Sequence, residues 1–77
     1  MKSLKDCPEK SKARIVSLKA QGPLKRRLLE MGFLPGRKIR VVRNAPLFDP
    51  MEIEILGYFL TVRKDEAAYI MVEEDHE

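Results

Sequence analysis

The chain is predicted to be mainly β: a small, partly open β-barrel of about five strands, with one short helix inserted between the first and second strands. Three observations predict this. Short apolar alternations recur at about ten residues per strand, separated by turn signals. Only one stretch, residues 23–31, repeats its apolar residues at helical spacing. And 77 residues allow one domain with one small core, 1–77, with an acidic tail from 74 to 77 expected to fray.

Residues 1–12 are polar and lysine-rich, with Leu4 as the one clear anchor before a loop. Residues 13–19 form the first strand candidate. Ile15, Val16 and Leu18 do not alternate cleanly, which predicts a bulge or a twist. Gln21-Gly22 breaks the pattern before the helix.

Pro23 suits the first helical turn, where its missing N–H costs nothing. Leu24, Leu28 and Met31 share one face, and Gly32 is the natural stop. Phe33 and Leu34 follow, placed to fold back over the helix end. Pro35-Gly36 is a type II turn signal.

Residues 37–43 alternate, with Ile39 and Val41 inward and Lys38 and Arg40 outward. A loop, Asn44 to Pro50, carries two prolines. Met51, Ile53 and Ile55 then point inward, Glu52 and Glu54 outward. A very tight hairpin at Gly57 leads into a strand with Leu60 and Val62 inward. Residues 64–68 read as one helical turn, and residues 69–73 as the last strand, with Ile70 and Val72 inward. The expected core is Leu18, Leu28, Ile39, Val41, Ile53, Ile55, Leu60, Val62, Ile70 and Val72.

Composition narrows the function. The chain is 44% hydrophobic and 35% charged, and no apolar run approaches the roughly 18 residues that span a membrane. The start has no apolar core like that of a secretory signal. A single cysteine, Cys7, makes no internal disulfide, which points to a reducing compartment and the cytoplasm. The net charge of +3 is unevenly spread: residues 25–43 are strongly basic and residues 44–77 strongly acidic. Either the domain has a basic and an acidic side that steer a partner, or the strands pair opposite charges and shrink the field.

No catalytic set is visible. The one histidine, His76, and Cys7 stand at opposite ends of the chain, so neither a nucleophile–base pair nor a metal-ligand spacing is present. Glu73, Glu74, Asp75 and His76 could hold a divalent ion weakly, as most acidic tails do. No enzyme, cofactor or metal is expected. Nucleic acid is not expected either, since Phe33, Phe48, Tyr58, Phe59 and Tyr69 do not alternate with the basic run.

The ordered set Arg27-Leu28, Glu30-Met31-Gly32-Phe33, Pro35-Gly36, Ala45-Pro46-Leu47, Asp49-Pro50, Gly57, Leu60, Arg63-Lys64, Glu66-Ala67, Ile70 and Val72 resembles the FeoA family. These are small cytoplasmic proteins of bacterial ferrous iron uptake. The resemblance covers residues 14–73. It implies an SH3-like barrel with a helical insertion, no enzymatic activity and one partner. That partner is a FeoB-type membrane transporter, whose cytoplasmic part carries a GTP-binding domain. Contact with the membrane would run only through the partner. The domain shape is also similar to the C-terminal module of iron-dependent repressors, so a freestanding repressor-like or nucleic-acid-binding module is the alternative. The chain departs from the family pattern at Glu9-Lys10-Ser11-Lys12-Ala13 and at Phe48, two places where the family tends to have glycine.

Partner-binding candidates are apolar residues with no obvious core to enter. Leu29 borders the buried helix face. Leu47 and Phe48 lie between Pro46 and Pro50, which stiffen the loop and reduce the entropy lost on docking. Lys25 and Arg26 would rim the patch. The opposite reading of Leu47 and Phe48 is that the loop folds over the open barrel end and buries them.

Overall fold

The computed structural model describes residues 1–75. The chain runs β1 (Lys2–Ser3), a 3₁₀ turn (Leu4–Asp6), β2 (Lys12–Leu18), α1 (Gly22–Met31), β3 (Lys38–Arg43), β4 (Met51–Ile55), β5 (Tyr58–Val62), α2 (Lys64–Ala67) and β6 (Ile70–Glu74). One antiparallel sheet holds the strands in the order β1-β6-β2-β3-β4-β5. Among the described residues there are six strands rather than five. The extra one, β1, is two residues long and pairs with β6, too short to show any alternation.

The strand faces follow from alternation. Ile39 and Val41 on β3, then Met51, Ile53 and Ile55 on β4, are buried, while their neighbours face out. The irregular pattern in β2 becomes a register shift between Ile15 and Ser17. The shift lies in the ladder with β6, which runs from Ala13 to Leu18, while β3 pairs on the other side with Lys12, Ala13 and Arg14.

Helix α1 ends as its residues dictate. Gly32 has φ 110°, and its N–H donates to the carbonyls of Leu28 and Leu29. Phe33 is fully buried over the helix end, but Leu34 remains 39% exposed, so only one of the pair folds back. The Arg37 N–H donates to the Leu34 carbonyl at 3.1 Å across Pro35-Gly36, and Gly36 has the positive φ that the turn requires.

Two expected core residues are corrected. Leu18 and Leu60 pack against the core but are only partly buried. Leu18 ends its strand, and Leu60 lies on β5, an edge with a neighbour on one side only. Leu4, Cys7, Ala13, Ile15, Phe33, Met51 and Ala67 fill the core alongside the expected residues.

The charges pair across the sheet. Arg14 meets Glu73 at 3.0 Å, Arg40 meets Glu54 at 2.8 Å, and Lys2 meets Glu74 at 3.0 Å. Each such exposed pair contributes about 0–1 kcal/mol. Of the 74–77 tail, only Glu74 and Asp75 are among the described residues. Glu74 closes β6, and the Asp75 N–H donates to the Lys12 carbonyl at 3.0 Å. His76 and Glu77 lie outside the described residues.

Candidate docking surface

The loop between β3 and β4 is pinned at both ends. At its start, the Asn44 side-chain amide donates to the carbonyls of Lys5 and Cys7, at 3.0 and 2.7 Å. Its backbone N–H donates to Glu9 at 2.8 Å. At its end, the Asp49 carboxylate accepts the backbone N–H of Lys64, at 2.9 Å, in the first turn of α2. The Lys64 ammonium donates to the Ala45 carbonyl at 2.6 Å. Inside the loop the Phe48 N–H donates back to Ala45 at 3.2 Å.

These anchors leave Leu47 94% exposed and Phe48 69% exposed. The loop does not fold over the barrel end to bury them. A loop held at both ends loses less entropy when its exposed apolar side chains are covered. Beside it, Phe48, Pro50, Ala45, Arg43, Glu9 and Asp49 line a cleft of about 360 Å³, large enough for one side chain of a partner.

Leu29 is half-buried on α1, and Lys25 and Arg26 are exposed. Helix α1 leads into the start of β3, whereas the loop leaves its end. The link between them is indirect. Arg27 reaches Glu66 of α2 at 2.6 Å, and Lys64 of α2 holds the loop. Leu47 and Phe48 are thus brought together, with Leu29 one element removed. This relay was not visible in the sequence, because it joins residues from three separate segments.

Exposed residues on the β4–β5 hairpin were also missed: Leu56, Tyr58 and Phe59. Leu56 has φ 53° and Gly57 φ 81°, positive at both central positions, as in a type I′ turn. A leucine where asparagine is usual was the available signal.

Cys7 sits in the core at 1% exposure, its thiol 3.8 Å from the Ser3 carbonyl. Burial pushes its pKa up, which keeps the thiol neutral and unreactive. Among the described residues no group of three or more His, Cys, Asp or Glu could hold a metal ion, and no helix is long and apolar enough to cross a membrane.

Six antiparallel strands around one core, with a helix inserted after the second, define a small SH3-like β-domain. The chain belongs to the FeoA family: residues 2–74 match the FeoA domain. A relative from Porphyromonas gingivalis, the Fe(2+) transport protein A/Fe(2+) transporter FeoB fusion protein, is 44% identical over 59 residues. The match takes in 77% of this chain and only 7% of that relative's length. The solution structure of iron(II) transport protein A from Clostridium thermocellum superposes with a TM-score of 0.87 at 40% identity, over 94% of this chain and 44% of that one. The zinc-complexed FeoA of Stenotrophomonas maltophilia, described as a prokaryotic SH3 domain protein, gives a TM-score of 0.83 at 26% identity, over 95% and 91% of the two chains.

Proposed function

We propose that the chain is a non-catalytic accessory protein of ferrous iron uptake that docks on the cytoplasmic GTP-binding part of a FeoB-type transporter. One observation carries the reading: a relative joins an iron transport protein A segment and FeoB in one polypeptide. Fusion raises the effective concentration of two modules that act together. Leu47 and Phe48, held in solvent by a pinned loop, are the anchors, with Leu29 extending the patch and Lys25 and Arg26 at its rim.

The repressor-like alternative needs a helix pair that reads DNA. The described helices are ten and four residues long. The test is a titration of the chain against the isolated cytoplasmic domain of the transporter, with DNA and RNA in parallel. Saturable binding to the domain alone supports the proposal. Binding to nucleic acid alone overturns it.

A further inference from the structure

The sheet has two edges, and they are treated differently. One edge, β1, is two residues long and carries Lys2. Short strands and lysine are the usual protection against pairing with another chain. The other edge, β5, is five residues, Tyr58 to Val62, with no charge, no proline and no register shift against β4. Its single strand neighbour is β4.

The ladder shows which backbone groups are free. Ile55 and Tyr58 close a two-residue hairpin, so they form a hydrogen-bonded pair. By alternation Leu60 and Val62 also bond to β4. Phe59 and Thr61 therefore turn their N–H and C=O groups away from β4, toward the open edge. Phe59 is also 58% exposed.

We propose that this edge is a self-association site, where two copies of the chain pair β5 with β5, antiparallel, about a two-fold axis at Leu60. In that register Phe59 of each copy lies opposite Thr61 of the other, and the four outward N–H and C=O pairs are satisfied. Aromatic and β-branched side chains opposite each other are a favourable cross-strand pair. Leu60 meets Leu60 of the second copy on the inner face and loses its partial exposure. No charge stands on β5 to repel its copy, and Glu54, one strand back, is bound by Arg40. A single strand edge covers less than the roughly 800 Å² per partner of a stable complex. The dimer is therefore weak and reversible.

Sedimentation velocity of the full chain, from micromolar to millimolar concentration, reads this directly. The expected result is a shift from monomer to dimer that Phe59→Lys abolishes, raising the dissociation constant at least about tenfold with an unchanged melting temperature. A second measurement fixes the register. Residues opposite in a non-hydrogen-bonded pair lie about 4.5 Å apart at Cα, within reach of a disulfide. In a Cys7→Ala background, Leu60→Cys cross-links to its copy on oxidation, and Thr61→Cys, displaced from its own copy, does not. Monomer at every concentration overturns the proposal. So does a dimer that survives Phe59→Lys, or equal cross-linking at the two positions.

Discussion

Arg27 on α1 holds Glu66 on α2, guanidinium to carboxylate, at 2.6 Å. The two partners are unlike: the Glu66 side chain is 10% exposed and that of Arg27 60%. Glu66 also accepts the Arg63 N–H at 3.3 Å, which caps α2. Glu66→Ala leaves that donor without its carboxylate partner and removes the tie to α1. It should destabilise by about 1–3 kcal/mol. Arg27→Ala, at the exposed end, should cost under about 1 kcal/mol. Urea midpoints of the two variants decide the order.

Gly32 combines a left-handed backbone with a close neighbour. A Cβ there would stand 2.8 Å from the Tyr58 hydroxyl, which donates to the Met31 carbonyl at 3.0 Å. Gly32→Val should cost at least about 1 kcal/mol from backbone conformation alone. Repeating the substitution in a Tyr58→Phe background separates the two effects. The part that the second change recovers is the collision, and the rest is backbone strain.

Leu56 has the opposite problem, an exposed side chain at φ 53° with little burial in return. Leu56→Asn fits the type I′ turn and should stabilise by about 1 kcal/mol. A rise in melting temperature checks it. A fall would show that Leu56 packs more productively than its 65% exposure indicates.

Cys7 makes alkaline stability measurable. Burial is the main cause of its raised pKa, from an ordinary value of 9.0, with Lys2 opposing and Glu74 and Asp6 adding to it. A raised folded pKa favours the neutral thiol in the native state. The contribution is complete below the unfolded pKa and is lost as pH rises through the folded one. The melting temperature should therefore drop above about pH 9, and drop less steeply in Cys7→Ala. Comparing the two slopes removes the matching effect of Lys2, whose pKa is raised chiefly by its hydrogen bond to Glu74.

The residues that could be read in advance were those with a repeating neighbour. Met51, Ile53 and Ile55 alternate, so their face was legible, as was the stop at Gly32. The burial of Leu4 was legible as the one large apolar residue in a polar segment. Strand β1 was not legible, because two residues carry no period and only β6, about seventy residues later, makes them a strand. Cys7 has no apolar pattern around it, and its burial depends on the fold of the whole N-terminal segment. At the candidate site, two prolines showed that the 44–50 loop is stiff. Which way Leu47 and Phe48 point depended on Asn44, Asp49 and Lys64, whose partners lie far away in sequence.

The most direct measurement is a binding titration of wild type, Phe48→Ala and Lys25→Glu against the transporter's cytoplasmic GTP-binding domain, with circular dichroism on each. Phe48→Ala should remain folded and lose about 1–3 kcal/mol of binding, the range for a good anchor. Lys25→Glu should slow association at low salt and have little effect at high salt. Phe48→Ala that folds and binds as wild type does would contradict the account and move the docking surface to the outer face of β3, around Lys38 and Arg40.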